Sequence, residues 1–334
     1  MKKRITAVLL IIPMILSAAA CNKRMYVGSF EFPCSSENTY SVACELNSYL
    51  DGSETVDHTE DVYLKGCGSD VCLPSDRSEG EEMSFLLYNL DECKVLAESG
   101  AMKVLYPAST TKLMTAYLAI TMGNPSDEVV IGKNAVNIVS NGASACGFAV
   151  GDKIRMDHLI TAMLVCSGND AAVAIAEHIS GSDAEFVKLM NQEMKRLGGV
   201  DTNFVNSHGL QNTNHRTSPY DLYLVINRLR ELPAFMEAIS KVSYQVSLVD
   251  KNGKEKSLSM ESTNLFLTGA KPVPEHITVL GGKTGTTNAA GCCLTLLFQD
   301  EKKRTYVAEV FHAKDYDALY DKMTRLLELA AKEE

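Results

Sequence analysis

The sequence predicts a domain of the α/β (α+β) class, in which a mainly antiparallel sheet is sandwiched by helices. Strand-like runs occur at both ends of residues 83–334, and helix-like periodicity fills the region between them. Two pairs of strand-like runs are joined by short polar turns, which favours antiparallel hairpins. Hydrophobic residues make up 46% of the 334-residue chain, so we expect a sizeable core.

The first twenty residues are predicted to be a signal peptide. Lys2, Lys3 and Arg4 give a basic start, residues 5–16 are apolar, and residues 17–20 are small. The apolar run is too short to span a bilayer comfortably. We therefore expect an exported, extracytoplasmic protein.

Cys21 directly follows the small residues, and two interpretations of it stay open. Cleavage after Ala20 would give an ordinary secreted protein. Small residues before a cysteine also resemble the lipid-attachment box of bacterial lipoproteins, although Ala18 stands where leucine is usual. A lipid on Cys21 would attach the protein to the membrane.

Residues 21–82 are predicted to be an acidic, flexible tether. They are rich in Ser, Glu, Asp, Gly and Thr and show no sustained hydrophobic period. Residues 22–82 carry 4 Lys/Arg and 13 Asp/Glu, a net charge of -9, against -10 for the whole chain. The acidic balance argues against nucleic acid as a partner.

The predicted domain begins near residue 83 with two strands and continues into a helical region. Ser182 and Glu185 form a capping box, and Gly198 marks the end of that helix. Pro219 after Ser218 suits the first turn of a further helix. The other elements predicted here are strands at 84–88 and 94–97 and helices beginning at 109 and covering 156–165, 170–179 and 182–197.

The last third of the chain returns to strands. Polar turns at 250–253 and 300–303 each separate two strand-like runs. The runs are 244–249 with 256–260, and 294–298 with 304–311, and another apolar run covers 277–280. A closing amphipathic helix carries Leu319, Met323, Leu326, Leu327 and Ala330.

Ten cysteines in an exported chain raise the question of disulfides, but their spacing does not suggest a framework. Cys67 and Cys72 could pair. The cysteines of the predicted domain are expected to be free, buried thiols: Cys93, Cys146, Cys166, Cys292 and Cys293. Neither the cysteines nor the seven histidines show metal-ligand spacing, so no metal or other cofactor is expected.

The most informative motif is Ser109 followed three residues later by Lys112. On a helix these positions share a face, so the two side chains should be neighbours. A desolvated lysine can take the proton of a serine hydroxyl and make it a nucleophile. Alone the pair is weak evidence for a catalytic site, because a helix N-cap serine followed by an exposed lysine has the same spacing.

Two later motifs change that balance. Ser167, Gly168 and Asn169 lie between two predicted helices, where a plain turn is the alternative. A run containing Lys283, Thr284 and Gly285 follows an apolar strand, where a glycine-rich hairpin is the alternative. Ser-x-x-Lys, Ser-x-Asn and Lys-Thr-Gly in this order are shared by penicillin-binding proteins and serine β-lactamases.

The surrounding residues resemble one family more closely. Residues 107–116, 207–210, 218–222 and 282–285 with 290–291 are similar to the low-molecular-mass penicillin-binding proteins that are serine-type D-alanyl-D-alanine carboxypeptidases, a peptidase S11-like family. The resemblance covers residues 83–334. It implies a β-lactamase/DD-peptidase-like fold and an enzyme of cell-wall synthesis or remodelling, outside the cytoplasmic membrane. The implied partners are peptidoglycan stem peptides ending in D-Ala-D-Ala and β-lactam antibiotics.

The resemblance also implies residue roles. Ser109 would be the acyl-ester nucleophile and Lys112 its general base, held neutral by the second lysine, Lys283. Ser167 would relay the proton to the leaving amine. By the same resemblance, Asn169 would bind the peptide amide, and Lys283 and Thr284 would bind the terminal carboxylate. The backbone N–H groups of Ser109 and Thr286 would form the oxyanion hole.

The chain departs from the family pattern in two ways, and two other functions remain as alternatives. Family members often carry an extra domain and a C-terminal membrane anchor, which a lipid on Cys21 would replace here. Relatives use an arginine beyond the Lys-Thr-Gly strand for the substrate carboxylate, where Arg304 or Lys314 could serve.

A serine β-lactamase is one alternative function, although residues 195–215 contain no Glu for a deacylation box. A non-catalytic β-lactam sensor is the other.

Overall fold

The computed structural model describes residues 83–139 and 143–333. The predictions of a signal peptide at 1–20, a tether at 21–82 and lipidation at Cys21 therefore lie outside the described residues. Within the described ranges, no helix is both long and apolar enough to cross a membrane.

A five-stranded antiparallel sheet forms the centre of the domain. Its order is β2-β1-β9-β8-β7, so the first and last strands of the chain pair with each other. Seven successive residues of β8 are buried, because helices cover both faces of the sheet. The bounds are β1 Ser84–Asn89, β2 Lys94–Ser99, β7 Thr278–Thr287, β8 Gly291–Gln299 and β9 Thr305–Ala313.

The helices form two layers around this sheet. The C-terminal helix covers one face, and the apolar residues predicted for it are all buried there. The other helices lie on the opposite side and carry much of the site. Their bounds are α1 Lys112–Met122, α2 Lys133–Asn137, α3 Met156–Cys166, α4 Asn169–Ser180, α5 Asp183–Leu197, α6 Pro219–Leu229, α7 Pro233–Ile239 and α8 Tyr316–Ala331.

The predicted fold class is confirmed, with one addition. A second, four-stranded sheet has the order β3-β4-β5-β6, so the predicted hairpin at 250–253 does not join the central sheet. Two of its strands have only three residues, too few to show a hydrophobic period. The bounds are β3 Glu128–Val130, β4 Lys153–Arg155, β5 Ser243–Val249 and β6 Glu255–Glu261.

Local capping signals were reliable. The Ser182 hydroxyl accepts a hydrogen bond from the Glu185 amide, and Ser218 does the same for Asp221. The first of these helices ends at Gly198, which adopts the left-handed conformation.

The cysteine prediction needs one correction. Cys146, Cys292 and Cys293 are buried free thiols and Cys166 is a partly exposed one, but Cys93 is disulfide-bonded. A disulfide depends on a neighbour in space rather than on spacing along the chain, so the sequence pattern did not reveal it.

Glu309 is a buried carboxyl group in the middle of β9. It is fully buried, accepts one hydrogen bond from the Thr295 hydroxyl at 3.0 Å, and has no partner for its other oxygen in the described part of the chain. Burial raises its pKa well above the usual value, because the ionised carboxylate would lose its hydration.

The Glu309→Gln variant should lose part of the pH dependence of stability. Because the folded-state pKa is raised, the contribution of Glu309 is fully present below pH about 4.5 and declines as pH rises. The Tm difference, variant minus wild type, should thus become more positive by a few degrees between pH 5 and pH 8. The exposed Glu328→Gln variant is the control; a Glu309→Gln difference that stays constant with pH would contradict this account.

Candidate active site

Ser109 lies in a short 3-10 helix, Ala108–Thr111, that leads directly into α1. Ala108 has a φ of +47°, in the left-handed region that is uncommon for residues other than glycine. Two side-chain hydrogen bonds hold this turn: Thr110 donates to the Pro107 carbonyl at 2.6 Å and Thr111 to the Ala108 carbonyl at 2.8 Å. The serine is therefore presented on a tightly fixed turn.

Two glycines allow neighbouring backbone to approach this turn. A Cβ atom on Gly285 of β7 would lie 2.9 Å from the Ser109 nitrogen, closer than real contacts permit. Gly209 has a φ of +89°, and a Cβ atom there would clash with the Ala108 carbonyl. Strand β7 and the segment 206–210 thus enclose Ser109 from two sides.

Lys112 is fully buried beneath Ser109. Its Nζ lies 3.0 Å from Ser109 Oγ, 2.7 Å from Asn169 Oδ1 and 2.5 Å from the His208 carbonyl. Both carbonyl-type oxygens can only accept, so a neutral amine would use its two N–H groups on them and keep its lone pair for the serine hydroxyl. Burial, and second the charge of Lys283, lower the pKa of Lys112 well below its usual value.

Lys283 reaches the same site from β7. It is 1% exposed, and its Nζ donates to Ser167 Oγ at 2.8 Å and to the Thr284 carbonyl at 2.9 Å. Burial lowers the pKa of Lys283 to about 7. The site therefore holds two buried amines that do not both carry a full charge at neutral pH.

Ser167 and Asn169 occupy the tight connection between α3 and α4. Ser167 has a φ of +62° and caps the C-terminus of α3, and Asn169 is the first residue of α4. The Asp170 carboxylate accepts hydrogen bonds from the backbone amides of residues 146–148, which fixes the adjacent loop. Both side chains of the Ser-x-Asn motif are thus held on rigid backbone.

Two buried histidines brace the segment below Ser109. The Val205 amide donates to His215 Nδ1, so the Nε2–H group of His215 donates to the Thr111 hydroxyl at 2.7 Å. Burial lowers the pKa of His208 to about 3 and that of His215 to about 4. Both rings are neutral at neutral pH.

The threonines of β7 lie beside this group. Thr284 is buried and its hydroxyl lies 2.5 Å from that of Thr263, whereas Thr286 is exposed and its hydroxyl lies 3.0 Å from that of Tyr316. Thr286 pairs with Cys292, and Cys292 with Ala313, so this end of the sheet leads to Lys314.

Comparison with known proteins identifies the family of this chain. The model of the peptidase S11 family, D-alanyl-D-alanine carboxypeptidase, matches residues 75–314. The chain belongs to this family. Curated relatives include the carboxypeptidase DacF of Bacillus subtilis, 32% identical over 255 residues that span 75% of this chain and 62% of the relative. Another is DacC of Escherichia coli, 31% identical over 62% of this chain and 51% of the relative.

Two solved structures share the fold. The Streptomyces K15 DD-transpeptidase has a TM-score of 0.68 at 24% identity, covering 74% of this chain and 95% of that chain. Penicillin-binding protein 5 of Haemophilus influenzae has a TM-score of 0.64 at 28% identity, covering 73% of this chain and 69% of that chain. The chain spans about half to two thirds of the length of the curated relatives it matches.

The structure brings together most of the residues singled out in the sequence. Hydrogen bonds link Lys112 to Ser109 and Asn169, and Lys283 to Ser167, while Thr284 and Thr286 follow Lys283 on the same strand. Sequence reasoning missed the His208 carbonyl; the Ser-His-Gly-Leu segment was its only signal. Among the described residues, no group of three or more His, Cys, Asp or Glu could hold a metal ion.

Proposed function

We propose that the protein is a serine D-alanyl-D-alanine carboxypeptidase that removes the C-terminal D-alanine from peptidoglycan stem peptides. The observation that carries the proposal is the buried Lys112 amine, 3.0 Å from Ser109 Oγ and with two other acceptors for its protons. Burial lowers the pKa of this amine, so it is suited to act as a general base that makes the neighbouring serine a nucleophile.

The reaction begins when Ser109 Oγ attacks the carbonyl carbon between the two D-alanines. Lys112 Nζ takes the hydroxyl proton, and the backbone N–H groups of Ser109 and Thr286 stabilise the negative oxygen. Ser167, which accepts a hydrogen bond from Lys283, passes a proton to the leaving amine of D-alanine. The product of this step is an ester of Ser109 with the shortened peptide.

The remaining residues position the substrate. Asn169 binds the peptide amide, and Lys283 and Thr284 meet the terminal carboxylate. Water then attacks the ester and restores the Ser109 hydroxyl. A β-lactam presents a strained amide to the same serine and forms the corresponding ester.

Release of D-alanine tests the proposal. The wild type should release free D-alanine from a peptide ending in D-Ala-D-Ala, and Ser109→Ala should release none above the uncatalysed rate. A β-lactamase would instead hydrolyse a chromogenic cephalosporin rapidly and leave the peptide intact, and a sensor would be acylated without turning over either. Equal release by wild type and Ser109→Ala would contradict the proposal.

We assign Lys314 as a further cation that binds the terminal carboxylate of the substrate, in addition to Lys283 and Thr284. Arg304 lies at the opposite end of the sheet, on the β8–β9 turn, where it bonds the Asp300 carboxylate at 2.7 Å and the Glu333 carbonyl at 2.7 Å. Lys314 directly follows β9 at the end that holds Thr286, and its side chain is 81% exposed.

The Lys314→Ala variant should raise the KM for a D-Ala-D-Ala peptide by about three- to tenfold, with kcat little changed, because an exposed cation contributes about 1 kcal/mol to binding a carboxylate. The same peptide with a C-terminal amide should show no difference between variant and wild type. Lys302→Ala, on the distant β8–β9 turn, is the control. An equal rise in KM for the peptide with a free C-terminal carboxylate and for the peptide with a C-terminal amide would count against the assignment.

Export and membrane attachment are proposed from residues 1–21. A basic start, an apolar run and small residues before Cys21 support removal of the first twenty residues and lipidation of the cysteine. Intact-mass measurement of the protein from a bacterial host decides this. A mature chain that begins at Cys21 without a diacylglyceryl group would exclude the lipid.

A further inference from the structure

A pair of thiols lies directly behind the Ser-x-Asn motif. Cys146 Sγ and Cys166 Sγ are 3.0 Å apart, although the residues are 20 positions apart in the chain. Cys166 ends α3 and immediately precedes Ser167, while Cys146 belongs to the loop that Asp170 holds. A disulfide has a sulfur–sulfur bond of about 2.05 Å, so closure needs the sulfurs to approach by only about 1 Å.

We propose that Cys146 and Cys166 are a redox-active pair that closes to a disulfide with a small organic disulfide as oxidant, and that closure slows acylation at Ser109. The rate effect rests on the proposed function, whereas formation of the bond does not.

The two thiols have different environments, which sets the order of the chemistry. Cys146 is 7% exposed and its pKa is raised by burial, whereas Cys166 is partly exposed and its pKa is lowered, first by the hydrogen bond from Cys146 and also by the charge of Lys283. The thiolate is the species that attacks a disulfide. Cys166 is therefore the attacking thiol and Cys146 the resolving one.

The exchange balances in two steps. The Cys166 thiolate attacks one sulfur of the oxidant R–S–S–R, forms the mixed disulfide Cys166–S–S–R and expels RS⁻. Cys146 then attacks Cys166 Sγ, forms the Cys146–Cys166 bond and expels the second RS⁻. The two thiolates carry away the two protons as two RSH, so the oxidant is reduced by two electrons.

The pair is coupled to the site through Ser167. Ser167 is held at a φ of +62° and accepts a hydrogen bond from Lys283 at 2.8 Å, so a shift of Cys166 by several tenths of an ångström moves its hydroxyl. The two thiols also act electrostatically on Lys112, and Cys166 on Lys283. A misplacement of about 1 Å in a catalytic group can cost about a hundredfold in rate, so we expect a loss of tenfold or more.

The other described free thiols give a matched control. Cys292 and Cys293 are adjacent in β8, where neighbouring side chains point to opposite faces, and burial raises the pKa of Cys293 to about 12. They should not pair with each other under the same oxidant. Replacement of Cys292 by alanine should leave the redox response intact.

Peptide mapping tests the bond. The protein is incubated with oxidised glutathione or with dithiothreitol, alkylated and digested with trypsin. Oxidised protein should yield residues 134–153 linked to residues 156–188, and reduced protein should yield both peptides alkylated. Cys146→Ala should accumulate glutathione on Cys166. Absence of the linked peptide, with glutathione on neither cysteine, would overturn the proposal.

The rate of acylation by a fluorescent penicillin tests the coupling. It should fall tenfold or more on oxidation and recover on reduction in the wild type and in Cys292→Ala, while Cys166→Ala should be insensitive to both reagents. Because Cys166→Ala retains Cys93, it also separates any effect of reducing the Cys93 disulfide. A linked peptide with an unchanged rate, or a persistent response in Cys166→Ala, would overturn the coupling. Failure of all acylation would refute the proposed function while the peptide map still decides the bond.

Discussion

Replacement of Lys112 by alanine is expected to lower the rate of acylation by a β-lactam by about a thousandfold or more. The amine is the proposed base and lies within hydrogen-bond distance of Ser109 Oγ, and loss of a positioned general base typically costs 10²–10⁴ in rate. Stopped-flow acylation with a fluorescent penicillin measures the effect. Lys302→Ala, which removes an exposed lysine, should be indistinguishable from wild type.

Lys112→Arg separates a base from a positive charge. An arginine stays protonated at any accessible pH, so this variant should be as slow as Lys112→Ala. Lys112→Met, of similar shape and without charge, should fold, because the native site already favours the neutral amine. An arginine variant that is acylated at a rate near that of wild type would show that Lys112 acts by charge and not as a base.

Replacement of Lys283 by alanine is expected to slow acylation and to shift its pH dependence. Burial lowers the pKa of Lys112 most, and the charge of Lys283 lowers it further. Without that charge the pKa of Lys112 rises, so a smaller fraction of the base is neutral at a given pH. The acid limb of the rate profile should therefore move to higher pH.

The size of the Lys283→Ala effect should depend on pH. We expect acylation about tenfold or more slower than wild type at pH 6, where Lys283 with its pKa of about 7 is mostly protonated in the wild type. The difference should narrow toward pH 9. Because Lys283 also donates to Ser167, a constant deficit would remain at high pH. An unchanged rate and profile would show that Lys283 does not tune Lys112.

The local features of the fold were the ones that sequence could predict. The Ser182 cap, the β8–β9 hairpin and the contact of Ser109 with Lys112 each depend on residues only a few positions apart. Strands β3 and β4 escaped prediction because three residues show no period. Their partners also come from distant parts of the chain.

In the candidate site, too, local features were predictable from the sequence and features that depend on distant residues were not. The three motifs predicted residues that the structure brings together, but not the surroundings that lower the pKa of Lys112. The His208 carbonyl, 96 residues along the chain, and the complete burial of the amine depend on tertiary packing. The Cys146 and Cys166 thiols likewise meet through tertiary packing, with Asp170 holding the loop that contains Cys146.

The central claim is that Ser109 becomes covalently acylated by a mechanism that needs Lys112. The most direct measurement is mass spectrometry of tryptic peptides after brief reaction with a penicillin. The account predicts an adduct on the peptide of residues 104–112, at Ser109, in the wild type, and no adduct in Ser109→Ala. An adduct on any other peptide, or an adduct of equal yield in Ser109→Ala, would contradict it.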